Sequence, residues 1–325
     1  MDKGYKGISK NPGFVIPAKA GIQCFQPTGH RPSPVRQIFR GPLNGYSSGM
    51  LGVLIFSGTL PATRLGVATF DPVFFSLARA AIAGVIAAAI LLVLRQPRPT
   101  RGDSLALLVV ALGAVIGFPL LLALALRNVS AAHATVFVGL LPMATVIFGV
   151  LRGDKNPRRL FWLFSLSGSL VVAGFSMGQG IAVSLADDLL MLAAIALCGL
   201  GYAEGARLAR NMGGWQVICW ALVLALPLML PLSLWMLPGN FQQAAWPALL
   251  SLAYVSLFST LLGFFFWYHG LALGGTASVS QLQLLQPFFG LGLAAALLGE
   301  HVSTTMIASA LAVGLCVLGA RRFAT

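Results

Sequence analysis

Polar residues inside long apolar runs are the places in this chain where chemistry could occur. Gln281, Gln283 and Gln286 precede Pro287 in such a run, and a helix would put Gln283 and Gln286 on one face. Because proline has no N–H, Pro287 would leave the carbonyl of Gln283 without its usual helical partner. Unpaired amides and carbonyls in an apolar medium are tolerated only inside protein or around water. We predict that these glutamines contact a small-molecule ligand, with interhelical hydrogen bonding as the alternative.

Two charged side chains also lie within apolar runs, where each needs a partner or a wet surface. Arg79 is predicted either to meet an anionic group of a ligand or to pair with a structural neighbour. Glu204 is predicted either to be a protonatable carboxylate that couples solute movement to protons, or to be an i,i+3 partner of Arg207. The structural alternative is preferred for both residues.

A second proline marks another candidate contact with the ligand. Pro61 would free the carbonyl of Ser57, and the hydroxyls of Ser57 and Thr59 lie beside that break. The break would either line a cavity or be a plain kink.

The remaining candidates are a histidine, a threonine and two aromatic side chains. His133 and Thr135 open an apolar run, and because histidine is the side chain that commonly exchanges protons, a role for His133 in proton movement is one interpretation. A histidine near a helix end is also explained by an interfacial position. Trp220 and Tyr202 add aromatic groups that could stack on a ligand.

The elements that must hold these residues are predicted to be membrane helices. Of the 325 residues, 58% are hydrophobic and 9% are charged, whereas soluble domains carry roughly 25% charged residues. These figures exclude a soluble enzyme and a disordered chain. A membrane helix needs roughly 20 apolar residues. Ten such spans are predicted: 50–67, 73–94, 104–125, 131–151, 160–177, 187–206, 214–237, 247–268, 276–298 and 302–320.

The net charge of +13 is distributed as membrane topology requires. Lysine and arginine accumulate in the cytoplasmic loops of membrane proteins. With a cytoplasmic N-terminus, the inner segments carry eleven such residues and the outer side two. We therefore expect both termini inside, the lipid bilayer as partner, and no nucleic acid.

Residues 1–49 differ from the rest, being basic and rich in proline and glycine. We predict a disordered extension, explained either by a misassigned start codon near Met50 or by a genuine basic cytoplasmic tail. The four cysteines are far apart and give no metal or disulfide spacing. No phosphate-binding loop or catalytic motif is present in the sequence, so no cofactor, no metal and no catalytic residue are expected.

A faint internal repeat divides the spans into two halves. Residues 124–142 and 269–287 align on Pro142 and Pro287, with matches such as Leu126 with Leu271. Each half, 50–178 and 185–322, would hold five spans. An odd number makes the second half enter the membrane upside down, and inverted repeats are typical of transporters.

This layout resembles the EamA-type proteins of the drug/metabolite transporter superfamily. The resemblance covers residues 50–322, and Asp154 departs from it because a glutamate is usual at that corner. The strings that carry it are FSGTLPATR (56–64), FFSLARAAIAG (74–84), FFFWYHGLALGG (264–275) and QLQLLQPFFGLGLAAALLGEHVS (281–303).

The resemblance implies an all-α carrier of the bacterial inner membrane that moves small metabolites. We expect a secondary transporter working by alternating access and exporting amino acids or related compounds, not an enzyme. A membrane-embedded lipid-modifying enzyme is the alternative, although such an enzyme would need several acids or histidines at one depth, and the embedded ionisable residues here lie in different spans. A homodimer stays open as a further partner.

Overall fold

The described part of the chain is helical throughout and contains no strand. The computed structural model describes residues 44–129, 131–177, 185–239, 241–298 and 304–324. Within these ranges, nine helices are long and apolar enough to cross a membrane. The prediction of an all-helical membrane chain is therefore confirmed, and the protein is a multi-pass membrane protein.

The first helix begins earlier than expected. Asn44 caps it, because its side chain accepts a hydrogen bond of 2.9 Å from the N–H of Ser47. Residues 45–49 are thus helical, which corrects the prediction of disorder up to residue 49. The rest of the predicted extension, residues 1–43, lies outside the described residues.

We number the helical segments in chain order, each either continuous or built from adjoining pieces. They are α1 (Gly45–Ser57 and Thr59–Val67), α2 (Pro72–Val93), α3 (Arg101–Val110, Ala111–Gly117 and Phe118–Ala125), α4 (Ala131–Val138 and Leu141–Leu151), α5 (Arg159–Met177), α6 (Leu185–Met212), α7 (Gly214–Trp235), α8 (Trp246–Ala253, Tyr254–Gly263 and Phe264–Gly274), α9 (Thr276–Ser280, Gln281–Leu285 and Gln286–Leu298) and α10 (Thr304–Arg322).

Several helices are interrupted by local changes of pitch. The middle pieces of α3 (Ala111–Gly117) and α8 (Tyr254–Gly263) are π-helical, a rare geometry that occurs often at functional sites. In α9 the piece Gln281–Leu285 is a 3-10 helix. The predicted span 276–298 thus consists of three short pieces, and it is not among the nine long helices found in the described residues.

The helices pack in pairs that cross between the N-terminal and C-terminal halves of the described chain. Helix α2 packs against α7, α1 against α8, α5 against α10, and α6 against α3 and α4. Small residues allow the closest of these approaches. A Cβ added to Gly270 of α8 would lie 2.6 Å from the backbone nitrogen of Gly49 on α1. A Cβ added to Gly113 of α3 would lie 2.4 Å from the carbonyl oxygen of Leu197 on α6.

Helices α4 and α6 run parallel and are joined by polar side-chain contacts at both ends. At their starts, His133 Nε2 lies 2.5 Å from Asp188 Oδ1. At their ends, Arg152 Nη1 lies 3.3 Å from Glu204 Oε2, and Arg210 Nη2 lies 2.9 Å from Asp154 Oδ1. Polar contacts therefore link the two helices at both ends.

The outer surface of the bundle is apolar. Large side chains such as Leu92, Val93 and Leu311 are 76%, 79% and 67% exposed. Soluble monomers rarely expose apolar surface of this extent. These side chains are suited to contact lipid.

Candidate functional site

A small cavity lies between the N-terminal half of the bundle, α1 to α4, and the C-terminal half. Its volume is about 40 Å³, which is room for roughly three waters at 10–15 Å³ each. The lining combines an apolar wall with a few polar groups, as small-molecule sites usually do. The residues that line it are Phe56, Thr59, Leu60, Arg79, Ala114, Phe118, Pro119, Leu122, Val138, Leu141, Tyr202, Ser259, Phe264, Gln283 and Gln286.

The charged group of this cavity is the guanidinium of Arg79 on α2. Its side chain is buried, with the residue only 5% exposed. Nε donates to Thr260 Oγ1 over 3.0 Å, and Nη2 donates to Thr260 Oγ1 over 2.8 Å and to Ser259 Oγ over 3.2 Å. All three acceptor contacts are with neutral hydroxyls. Within the described residues, Arg79 makes no ion pair.

The π-helical piece of α8 presents these hydroxyls. Thr260 Oγ1 donates over 2.7 Å to the carbonyl of Val255, five residues back, which is the spacing of a π turn. Its remaining lone pairs accept from Arg79. Ser259 Oγ also shares a hydrogen bond of 2.9 Å with Thr59 Oγ1 of α1, so α1, α2 and α8 meet in one hydroxyl network.

The three glutamines of α9 differ in whether they reach the cavity. Gln283 and Gln286 line the cavity, whereas Gln281 is fully buried outside it. Gln286 Nε2 donates over 3.2 Å to the carbonyl of Phe56. The side-chain oxygen of Gln283 and both polar atoms of Gln281 are buried and make no hydrogen bond within the described chain.

The carbonyl of Gln283 is not left free, contrary to the expectation from Pro287. The 3-10 turn over Gln281–Leu285 lets the N–H of Gln286 donate to it. The tighter i,i+3 pitch thus supplies the partner that proline removes from the i,i+4 pattern. The polar atom of this segment that remains available to a ligand is the side-chain oxygen of Gln283.

Helix α1 breaks at Gly58, close to the position expected from Pro61. The carbonyl of Phe56 accepts from Gln286, and the carbonyl of Ile55 accepts from Tyr254 Oη over 2.6 Å. Side chains of the C-terminal half thus occupy the backbone groups exposed by the break. The hydroxyl of Ser57 donates over 2.7 Å to its own helix at Val53 and does not line the cavity, whereas that of Thr59 does.

Glu204 lies outside the cavity and is held by arginines. Its Oε1 accepts from Arg207 Nη2 over 2.5 Å and from Arg207 Nε over 3.0 Å, while Arg152 approaches Oε2. This arrangement is the structural alternative stated for Glu204, with Arg152 as an additional partner.

We expect the change Glu204→Gln to have a small effect. Arg152 and Arg207 are 43% and 42% exposed in their side chains, so water can solvate them after the carboxylate is lost. The carboxylate itself is buried, with its side chain 1% exposed, so the free energy of unfolding should fall by about 1–2 kcal/mol, between the costs of losing an exposed and a buried pair. The response of transport to a pH gradient should equal that of the wild type in proteoliposomes. Loss of that response in the variant alone would instead make Glu204 the coupling carboxylate.

His133, Thr135 and Trp220 do not line the cavity, although Tyr202 of α6 does. His133 and Thr135 are buried at the start of α4, where His133 faces Asp188. Trp220 is half-buried on α7. Its position offers no stacking surface to a molecule in the cavity.

Sequence analysis missed two polar residues at this site: Ser259, which lines the cavity, and Thr260, which accepts hydrogen bonds from Arg79. Serine and threonine are common in apolar helices, where they bond to the backbone of their own turn. The sequence could have indicated these two residues only together with Arg79. A buried arginine on α2 needs hydrogen-bond acceptors, and a neighbouring helix must supply them.

Both a family model and a relative with high sequence identity match this chain, and both are described as transporters. The model of a family described as the EamA-like transporter family matches residues 43–177 and again residues 186–321. The chain is 62% identical over 281 residues to the uncharacterized transporter YdeK of Bacillus subtilis (strain 168), covering 86% of this chain and 98% of that protein.

A more distant relative and a solved structure also match the chain. A probable terminal-alkyne amino-acid exporter of Streptantibioticus cattleyicolor is 25% identical over 255 residues, covering 77% of this chain and 84% of that protein. A crystal structure matches with a TM-score of 0.68 at 17% identity, covering 86% of this chain and 97% of that one. At that identity the likeness establishes the fold alone.

Proposed function

The chain belongs to the EamA-like transporter family, and from that premise we propose that it is a secondary transporter that exports small metabolites across a bacterial inner membrane. The observation that carries the proposal is the cavity between the two halves, with a buried cation and an unpaired amide oxygen of Gln283 in its wall. Sites of this kind, at the contact of repeats, are where transporters bind their cargo.

We further propose ten spans arranged as two inverted five-helix repeats with both termini in the cytoplasm. The family model matches twice, and the third helix of each repeat, α3 and α8, contains a π-helical piece. Topology is tested by labelling single cysteines from each side. Cysteine at Arg98 should react only from inside and cysteine at Arg127 only from outside, and the reverse pattern would invert the proposed orientation.

Alternating access supplies the mechanism. The cavity is too small for most metabolites in its present shape, because about 40 Å³ holds only a few waters. The two halves would rock apart on one side at a time and widen it. Because α4 and α6 belong to different halves, the polar contacts at their two ends would open or rearrange on one side at a time during this motion.

Amino acids and related compounds are the proposed cargo, which agrees with the name of the Streptantibioticus relative. Purified protein in liposomes, preloaded with one amino acid, should exchange it for labelled amino acid outside in a saturable way. The assay is run with and without a pH gradient and against empty liposomes. If the protein moved no amino acid but turned over lipid, the enzyme alternative would replace this function. The relatives' names do not favour that alternative.

A further inference from the structure

The positive charge in the cavity has no acidic counterpart. None of the described cavity-lining residues is aspartate or glutamate, and the guanidinium of Arg79 meets only the hydroxyls of Ser259 and Thr260. A buried arginine normally pairs with a carboxylate or a comparable acceptor, because an unpaired charge in a membrane interior is costly. A ligand is the remaining source of negative charge at this site.

The guanidinium also has donors left for such a ligand. Nε and Nη2 make the three hydrogen bonds to hydroxyls, and Nη1 makes none. Arginine carries its five N–H donors in a planar fork that matches a carboxylate or a phosphate. Because burying charge in apolar surroundings is costly, the singly charged carboxylate suits the apolar wall better than a more highly charged phosphate.

The second polar group of the wall, the side-chain oxygen of Gln283, is a hydrogen-bond acceptor, whereas Arg79 supplies donors. The side-chain oxygen of Gln283 is buried and unpaired, although the cost of a buried acceptor without a donor is about 1–3 kcal/mol. An amino or hydroxyl group on the ligand would supply the missing donor. The rest of the wall is apolar and includes Phe56, Leu122 and Phe264, which suits a hydrocarbon side chain.

We infer that Arg79 binds the carboxylate of the transported solute and that the side-chain oxygen of Gln283 accepts a hydrogen bond from its amino or hydroxyl group. The substrate class is therefore small amino or hydroxy carboxylic acids with an apolar side chain. This inference rests on the proposed transport function and narrows it. It also excludes polyamines and other solutes whose only charge is positive.

Matched compounds on one carbon skeleton test the role of the carboxylate on the wild-type protein. The probes are L-leucine with L-leucinamide and isoamylamine, and L-phenylalanine with L-phenylalaninamide and phenethylamine. Each is assayed for thermal stabilisation of the purified protein and for exchange in proteoliposomes. The acid should bind about 10- to 100-fold more tightly than the amide or the amine, which is the value of a charged hydrogen-bonded pair.

The donor group is tested on the same skeleton with L-leucine, α-hydroxyisocaproate and isocaproate. The first two should bind more tightly than isocaproate, which has no donor for Gln283. The change Gln283→Leu should remove this preference and leave the preference for acid over amide intact. A preference that survives in Gln283→Leu would overturn the role of Gln283.

Three variants test Arg79 directly. Arg79→Met should lose the preference for acids, and Arg79→Lys should keep it with weaker binding, because lysine keeps the charge without the fork. Arg98→Met, which removes an exposed arginine far from the cavity in sequence, is the matched control and should behave as the wild type. The melting temperature of each variant shows that it is folded.

The outcomes separate this inference from the proposed function. Equal binding of acid and amide, or transport restricted to amines, would overturn the carboxylate class and leave the transporter intact. Absence of saturable exchange for every compound, in protein with a cooperative melting transition, would count against both.

Discussion

A single methyl group at Gly270 is expected to lower the free energy of unfolding by about 3 kcal/mol, the upper range for overpacking a close contact. The added Cβ would lie 2.6 Å from the nitrogen of Gly49, 2.7 Å from its Cα and 2.9 Å from the carbonyl oxygen of Gly45. All three atoms belong to the backbone of α1, so no side-chain rotation can relieve the clash. Helix α1 must move away from α8 to accept Gly270→Ala.

The matched control for this change is Gly314→Ala in α10. A Cβ added there meets no atom within 4 Å, and alanine is a better helix former than glycine by about 1 kcal/mol. Gly314→Ala should therefore melt at or slightly above the wild-type temperature, while Gly270→Ala melts well below it. Equal melting temperatures in detergent would show that α1 and α8 are not in backbone contact.

The second large effect is expected from Thr260→Val, which removes one hydroxyl and keeps the shape of the side chain. That hydroxyl accepts from both Nε and Nη2 of Arg79, and hydrogen bonds to charged groups contribute about 1.5–3 kcal/mol each. The buried guanidinium would keep Ser259 as its sole protein acceptor among the described contacts. We expect the free energy of unfolding to fall by about 3 kcal/mol, measured by tryptophan fluorescence in detergent during unfolding.

Two further variants separate the loss of the hydroxyl from the presence of the charge. Thr260→Ser retains the oxygen and should be close to the wild type. The double variant Thr260→Val with Arg79→Met should recover most of the lost stability, because an apolar pair of similar volume replaces a buried charge. If the double variant were no more stable than Thr260→Val alone, the cost would come from repacking of α8 and not from an unpaired arginine.

Much of the cavity could be predicted because its polar residues stand out against an apolar sequence. Thr59, Arg79, Tyr202, Gln283 and Gln286 were candidates from the sequence and line the cavity. Each is a polar or aromatic side chain beside a proline or inside a span, where its cost requires a partner. The same reasoning also selected His133 and Glu204 as candidates, although neither side chain lines the cavity.

Partners that are distant in the sequence explain why some candidates lie elsewhere. His133 faces Asp188 and Glu204 faces Arg152 as well as Arg207. Contacts across such separations depend on which helices become neighbours, and helices that are apolar on all sides carry little signal of orientation. Changes of pitch were equally hidden, since the π turn of α8 and the 3-10 turn of α9 have no distinctive residue types.

The guanidinium of Arg79, which within the described chain is bound only to hydroxyls, also has a consequence for the energy source of export. A membrane potential acts on translocated charge with about 2.3 kcal/mol per elementary charge per 100 mV. A hydroxy acid would pair its carboxylate with Arg79 while bound, and it would carry a net charge of −1 across the membrane. An interior-negative voltage of about 100 mV would therefore sustain an outward concentration gradient of roughly 50-fold. An amino acid crosses as a zwitterion and gains nothing from the voltage. The site would thus be electrogenic for one cargo and electroneutral for the other, without any change in the protein.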